Sequence, residues 1–473
     1  MKRHLLLLIA TILLPAGLGA LPAARAAEDA SAAESRPNIV ILVADDLGYA
    51  DVGFHGSDIR TPNIDRLAAE GVRLERFYVS PVCSPTRAGL MTGRWPIRFG
   101  LQNAVIPPWR DRGLPPDEVT IAEMLAEAGY NHRACIGKWH LGHARRNFLP
   151  LAQGFNHFYG HYNGAIDYFS HERDGEMDWH RNGETVHESG YSTDLLGAEA
   201  ARFIAGVPPG EPYLLYVPFN APHTPLQAKQ ADEARYPHRQ KRRRTYAAMV
   251  EAMDRAIGRV LAAIDRRGDA EDTFVLFFSD NGGTPLADNG KLRGHKATVF
   301  EGGIRAAAAV RWPAGGLDGG RECVARIGYI DVLPMLRGIV GLNGEPELPL
   351  DGIDVLRPMR DGGSLPDRPW FNYFWQDRDR LPQWSVQTDE WKLVFIGEPT
   401  AAGRFTMNEK TMLFHMAEDP HEKRNLIEDH PRVAAELLDQ LAEFQQLAGG
   451  EPLPPYGQGA KGFQPPRDWQ VRQ

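Results

Sequence analysis

The sequence predicts an α/β protein: a large mixed, mainly parallel sheet sandwiched by helices, followed by a smaller C-terminal antiparallel sheet with one helix. Three observations predict it. The runs Asn38 to Val43, His132 to Ile136, Tyr213 to Phe219 and Thr273 to Ser279 are short and mostly apolar, as strands buried on both faces of a parallel sheet are. Segments with helical spacing separate these runs. Past about residue 360 the texture changes to short aromatic or alternating runs, the pattern of antiparallel strands.

Along the chain, Met1-Lys2-Arg3-His4, an apolar stretch from Leu5 to about Leu21, and Ala24-Arg25-Ala26 have the layout of a secretory signal with a small-x-small cleavage site. Export to a periplasmic or extracellular space is expected, with the mature chain starting near Ala27. Pro15, the glycines and Arg25 make a poor membrane span, and no cysteine follows the cleavage site to carry a lipid, so no stable membrane anchor is expected. Removing residues 1–26 takes away Lys2, Arg3 and Arg25 and no acid, which moves the formal charge from −8 to −11, with 50 basic against 61 acidic residues. Such a chain gains no long-range attraction for nucleic acid. Affinity for an anionic substrate has to come from a local basic site.

Thr61-Pro62-Asn63-Ile64-Asp65-Arg66-Leu67 opens one helix, and another spans Asp117 to Glu127 and stops at Gly129. The longest, Thr245 to Asp265, sets Tyr246, Met249, Val250, Met253, Ile257, Val260, Leu261 and Ile264 on one face, which marks the stripe as core. Lys241-Arg242-Arg243-Arg244 before it is expected as a solvated loop. Toward the C-terminus, strands are expected at Trp370 to Trp375, Trp384 to Gln387, Trp391 to Ile396 and Met412 to Met416, and a helix at Val433 to Leu447. The Pro-, Gly- and Gln-rich tail from Gly449 is expected as irregular chain packed over a surface. The organisation is thus a signal peptide at 1–26, a catalytic domain at 36–360 and a C-terminal subdomain at 361–473.

The chemistry gathers where the apolar runs end. Asp45 and Asp46 follow the first, Lys138 and His140 the second, His223 the third, and Asp280 and Asn281 the fourth. Ligands bind outside the carboxyl ends of strands in open α/β sheets, so these clusters should meet on one rim. Asp45, Asp46, Asp280 and Asn281 offer only hard oxygen donors, which suit Ca²⁺ or Mg²⁺ rather than Zn²⁺, and a cage of four protein oxygens favours Ca²⁺. Cys83 sits among polar residues in Cys83-Ser84-Pro85-Thr86-Arg87, where Ser84 as N-cap, Pro85 at the first helical position and Gly93 as left-handed stop predict a short helix. Its free N–H groups, with Arg87 one turn on, would make an anion pocket around Cys83. Three cysteines make no disulfide scaffold; Cys135 and Cys323 could pair, or Cys135 could be a buried free thiol.

C-x-P-x-R at Cys83 to Arg87, followed by Leu90-Met91-Thr92-Gly93, resembles the signature of the type I sulfatases. Gly137-Lys138-Trp139-His140-Leu141-Gly142 is similar to a second block of that family, and Asp419-Pro420-His421-Glu422-Lys423-Arg424-Asn425-Leu426 to its closing block. The resemblance covers nearly the whole mature chain; Tyr49-Ala50-Asp51 departs from the family's common Gly-Asp there and touches no assigned ligand. It implies an alkaline-phosphatase-like fold and hydrolysis of sulfate esters. A formylglycine-generating maturation enzyme would convert Cys83 to formylglycine, whose hydrated aldehyde attacks sulfur. The resemblance assigns Asp45, Asp46, Asp280 and Asn281, with residue 83, to one Ca²⁺. Lys138 is implied as a sulfate ligand, His140 as the base that breaks down the covalent intermediate, and His223 and Lys296 as contacts to the bridging oxygen, with Arg87 neutralising charge.

Gly164-Ala165-Ile166-Asp167-Tyr168-Phe169-Ser170-His171-Glu172-Arg173, with Gly100-Leu101-Gln102 and Leu292-Arg293-Gly294-His295-Lys296, resembles the arylsulfatase B branch, whose members act on N-acetylgalactosamine 4-sulfate. This implies a sulfated carbohydrate, from a glycosaminoglycan or another polysaccharide, or an aryl sulfate as substrate. Tyr162, Tyr168 and Trp179 could stack on a sugar or cover the core. Two other readings are open: a formylglycine-dependent phosphonate monoester or phosphodiester hydrolase, which the Lys138/His140/His223/Lys296 set disfavours, and a non-catalytic binder of sulfated glycans with Cys83 unmodified.

Overall fold

The computed structural model describes residues 36–342 and 344–471, of which everything from Pro37 onward forms one compact unit. The signal-peptide reading of residues 1–26 lies outside the described residues.

Asn38–Ala44 (β1), His132–Lys138 (β2), Tyr213–Pro218 (β3) and Thr273–Ser279 (β4) are strands, as their apolar runs predict. They are neighbours in the order β4-β1-β3-β2 and all parallel, at the centre of a ten-stranded sheet. His157–His161 continues the parallel run beside β2, while Ala308–Arg311 pairs antiparallel with β4 and His180–Arg181 with His157–His161. The sheet is mixed, with a parallel middle. Ile39, Ile41 and Val43 of β1 enter one core and Val40, Leu42 and Ala44 the other, none of them exposed. Two apolar faces explain why the run is continuous rather than alternating.

The principal helices are Pro62–Glu70 (α1), Cys83–Thr92 (α2), Ile121–Glu127 (α3), Ser192–Gly206 (α4), Lys241–Arg267 (α5) and Pro431–Gln446 (α6). Side chains of α1, α4 and α5 fill the core on one face of the sheet; those of α2, α3 and α6 fill the other. The α5 stripe from Tyr246 to Ile264 is buried throughout, as its spacing predicts.

Three local expectations are corrected. Helix α2 begins at Cys83 and closes at Gly93 with φ 67°, but its N-cap is Val82, so Ser84 and Pro85 are its second and third residues. Ser84 Oγ is drawn instead into tertiary bonds, donating to His140 O at 3.0 Å and accepting from Ile106 N at 3.1 Å. Lys241 to Arg244 is the first turn of α5, not a loop; Lys241 and Arg242 are exposed, while Arg243 reaches back to the buried Asp51. Helix α3 starts after Thr120 rather than at Asp117, because Thr120 and Glu123 form a capping box.

The C-terminal sheet comprises Trp370–Phe374 (β5), Gln383–Gln387 (β6), Trp391–Ile396 (β7) and Met412–His415 (β8), antiparallel in chain order. Trp370, Trp384, Val386, Leu393 and Phe395 join the core that Ile39 enters, and the Phe371 ring stacks on Phe444 of α6 at 4.4 Å. Each such side chain contributes about 1.5–3 kcal/mol on burial. A fully buried triad joins this sheet to the residues around Tyr78 and Glu301. Lys392 Nζ lies 2.9 Å from Glu301 Oε1 and 2.8 Å from Glu422 Oε1, and Tyr78 OH donates to Glu301 Oε2.

From Gly449 the chain runs irregularly across the surface, as expected. Asn103, Trp109 and Arg112 donate to the carbonyls of Leu453, Tyr456 and Glu451, and Trp469 Nε1 donates to Arg173 O. Cys83, Cys135 and Cys323 are all free and buried, so the possible Cys135–Cys323 bridge is not formed.

Candidate active site

Because β4, β1, β3 and β2 are parallel, the residues that follow them emerge on one edge of the sheet. Ala44 pairs with Ser279, which sets Asp45 and Asp46 beside Asp280 and Asn281. Asp46 and His140 both take left-handed backbone, with φ 70° and 56°, so the chain turns sharply just past β1 and β2. Non-glycine residues held this way cluster at functional sites. Helix α2 brings Cys83 to the same place by its N-terminus, with the side chain 1% exposed.

The contacts are dense. Cys83 Sγ lies 3.7 Å from Asp45 Oδ1 and 3.5 Å from Lys296 Nζ. Lys138 Nζ pairs with Asp45 Oδ2 at 2.5 Å, and Lys296 Nζ with Asp46 Oδ1. Arg87 binds Asp280 Oδ2 and donates through Nη1 to Lys138 O at 2.7 Å. Asn281 Nδ2 donates to Asp46 Oδ1 at 2.8 Å. Three carboxylates, of Asp45, Asp46 and Asp280, thus face three cations, of which Arg87 and Lys138 have no exposed surface while Lys296 reaches the cavity, and unpaired charge there would be costly.

His223 Nδ1 lies 2.6 Å from Thr224 O, which makes it the donor nitrogen and leaves Nε2 facing Asp46 Oδ2 at 3.7 Å. Burial, with Lys296 and Lys138 nearby, pushes His223 down to about 3 even against Asp46. His140 Nε2 donates to Ile106 O at 3.1 Å, and its buried Nδ1 has no partner. Burial first, then Lys138 and Arg87, hold His140 well below the usual imidazole range. Both surroundings favour the neutral ring. A Cβ on Gly164 would lie 2.5 Å from the His140 ring, so only glycine lets the two segments meet.

The ten candidate catalytic and metal residues named from the sequence lie in this one site. Cys83, His140, His223 and Lys296 line a cavity of about 320 Å³, and Asp45, Asp46, Arg87, Lys138, Asp280 and Asn281 form the buried shell beneath them. Arg173 and His295, quoted in the arylsulfatase B-like stretches without a role, also line the cavity, as do Gln376 and Tyr456, which the sequence reading missed. They come from separate segments, so no spacing rule joins them. Tyr162, Tyr168 and Trp179 are core residues, at most 2% exposed.

The sulfatase family profile matches residues 37–341. The chain belongs to the sulfatase family. This sulfatase is 32% identical to mouse arylsulfatase J over 90% of its own length and 79% of the relative's. It is 32% identical to dog N-acetylgalactosamine-6-sulfatase over 87% of its length and 84% of the relative's. Among solved structures it resembles Ps i-CgsB in complex with k-i-k-neocarrahexaose, with TM-score 0.80, 31% identity, and coverage of 87% and 93% of the two chains. A sulfatase of this family is a sulfuric ester hydrolase, and its fold is alkaline-phosphatase-like.

The sulfatase's own atoms fit a hard divalent cation. Ligand atoms of Asp45, Asp46, Cys83 and His223 lie within 4.8 Å of one another. Asn281 Oδ1 is buried and unpartnered, and an amide oxygen in that state is a cation donor in search of its ligand. With Asp280 adjoining, the oxygen set is the one that hard cations select.

Proposed function

We propose that this sulfatase removes O-sulfate from a sulfated carbohydrate, using a formylglycine made from Cys83 by a maturation enzyme. One Ca²⁺ would be held by Asp45, Asp46, residue 83, Asp280 and Asn281. The observation that carries the reading is the position of Cys83: on a cavity floor, at a helix N-terminus, between Lys296 and the Asp45 carboxylate.

An unmodified Cys83 suits nucleophilic work poorly. Burial pushes its thiol up to about 12 against the pull of Lys138 and Lys296, and the thiolate is the reactive form. With both groups in place, the cation would supply charge neutralisation and the hydrated aldehyde a nucleophile with a second hydroxyl. The chain's own residues then divide the remaining tasks. Arg87, Lys138 and Lys296 gather positive charge around the sulfate, as loss of a poor leaving group requires. Asp46 holds Lys296 fully protonated. His223 presents Nε2 as the atom to protonate the bridging oxygen; burial chiefly keeps the ring neutral, and an incoming anion offsets the lysines that add to it and favours a proton there. His140, neutral and with Nδ1 unpaired, is the proton acceptor at residue 83.

A carbohydrate substrate is favoured by the relatives, one of which is a hexosamine sulfatase and another of which is solved with an oligosaccharide. Residues 1–26 read as an export signal, which would place the enzyme where such polymers are met; among the described residues no helix is long and apolar enough to cross a membrane.

Mass spectrometry of the tryptic peptide Phe77 to Arg87 from active protein tests the nucleophile. The aldehyde, with oxygen in place of sulfur and two hydrogens fewer, is expected. Fully active protein with an intact thiol would sink the formylglycine reading. Sulfate release is then compared across sulfated saccharides, an aryl sulfate and a phosphonate monoester. Faster cleavage of the phosphonate would point to the rival hydrolase, and an inert thiol form that still binds sulfated glycans would point to a binder.

A further inference from the structure

We propose that Arg173 is the counter-charge for a second anionic group, carried by the sugar beside the sulfated one, so that this enzyme selects diacidic saccharides. The inference rests on the sulfatase reading and names the substrate more narrowly.

The cavity has a charge pattern of its own. The whole sequence carries a net charge of −8, yet among the described residues no carboxylate lines the cavity, while Arg173, Lys296, His223 and His295 do. Its cations fall into two levels. Arg87 and Lys138 have no exposed surface, and each is paired with a buried carboxylate below the reacting position. Arg173 is 24% exposed and stands at the rim. Its only side-chain partner among the described residues is its neighbour Asp174, reached through Nε at 3.3 Å, so both terminal amino groups are free. An exposed pair between adjacent residues holds its arginine weakly and yields to a better acceptor.

The rim is held in place before any ligand arrives. Glu172–Arg173 and Glu176–Met177 form a short antiparallel pair, and the C-terminal tail ties it down: Trp469 Nε1 donates to Arg173 O, and Asp468 N to Glu176 Oε2, both at 2.9 Å. The same tail supplies Tyr456, fixed by Trp109 Nε1 at 3.0 Å and by Gln376 O at 2.8 Å. A guanidinium carried on a backbone that is already tied down, in the same cavity wall as Tyr456, loses less entropy on binding than one carried on a free loop. The planar fork of an arginine matches a carboxylate or a sulfate through paired hydrogen bonds. The reacting sulfate already meets Lys296 and His223 at the floor, which leaves Arg173 for a second acid.

The test compares kcat/KM of wild type, Arg173→Gln and Arg173→Lys on four substrates. These are an aryl sulfate, a sulfated neutral disaccharide, a disaccharide with a neighbouring uronate and one with a neighbouring second sulfate. Wild type should prefer one diacid over the neutral disaccharide. Arg173→Gln should lower that preference at least tenfold, through KM, at an unchanged melting temperature, and Arg173→Lys should restore part of it. Whichever diacid loses its advantage identifies the second acid as carboxylate or sulfate. Equal losses on all four substrates, or no diacid preference in wild type, would overturn the subsite and leave the sulfatase reading intact. A wild type that releases sulfate from none of them overturns both.

Discussion

Arg87 Nε and Nη2 both bind Asp280 Oδ2, at 3.0 and 2.8 Å, where neither side chain has any exposed surface. The pair ties helix α2, which carries Cys83, to the end of β4, which carries the proposed metal oxygens. Removing one partner strands the other charge in a region without water.

Asp280→Ala should therefore cost about 3–5 kcal/mol of stability, the usual penalty for breaking a buried ion pair. Chemical denaturation reads that loss, and elemental analysis should find the metal gone with the activity. Full metal occupancy in the variant would remove Asp280 from the cage.

His223→Ala should slow hydrolysis of a sugar sulfate by about 10²–10⁴-fold, the range for loss of a general acid. A nitrophenyl sulfate, whose leaving group needs no proton, should suffer much less. Equal losses in kcat/KM on both substrates would rule out proton donation to the bridging oxygen.

Lys392→Met strands Glu301 and Glu422, both fully buried, and should lower stability by about 3–5 kcal/mol. Combining it with Glu301→Gln and Glu422→Gln removes the stranded charges and should recover most of the loss. The comparison is read from urea midpoints. A single variant as stable as wild type would show that the triad contributes nothing.

Glu199 gives a pH signature. Burial alone would raise its carboxyl, but His157, Arg181 and Arg202 outweigh it and draw the group from its ordinary 4.5 down to about 2. A depressed carboxylate stabilises the fold above its unfolded value and loses that contribution as pH falls through the folded one. The melting-temperature difference between wild type and Glu199→Gln should thus be constant at neutral pH and shrink between about pH 4.5 and 2. A difference independent of pH there would mean that the ion pairs do not carry the shift.

How far the sequence was legible follows from where the determining forces act. The strands could be read because Asn38 to Val43 and Thr273 to Ser279 need apolar side chains on both faces, and the rim because Asp45, Asp46, Asp280 and Asn281 directly follow such runs. Ser84 could not be placed by capping rules, since its hydroxyl is claimed by His140 and Ile106 across the fold. The basic run at Lys241 looked solvated, yet Asp51, some 190 residues away, holds Arg243 in a helix. Gln376 and Tyr456 join Arg173 only through tertiary structure, and no local pattern announces them.

The near-complete burial of α2 also bears on timing. No catalyst of protein size can reach a residue that is 1% exposed on the floor of a cavity. If Cys83 is to be oxidised, its maturation has to happen while the polypeptide is still open, on the ribosome or in transit, and a molecule that closes first is locked into a dead form. The yield of working enzyme is then decided by a race between two events in biosynthesis, and overexpression without a matching supply of the modifier would fill a preparation with well-folded, silent copies.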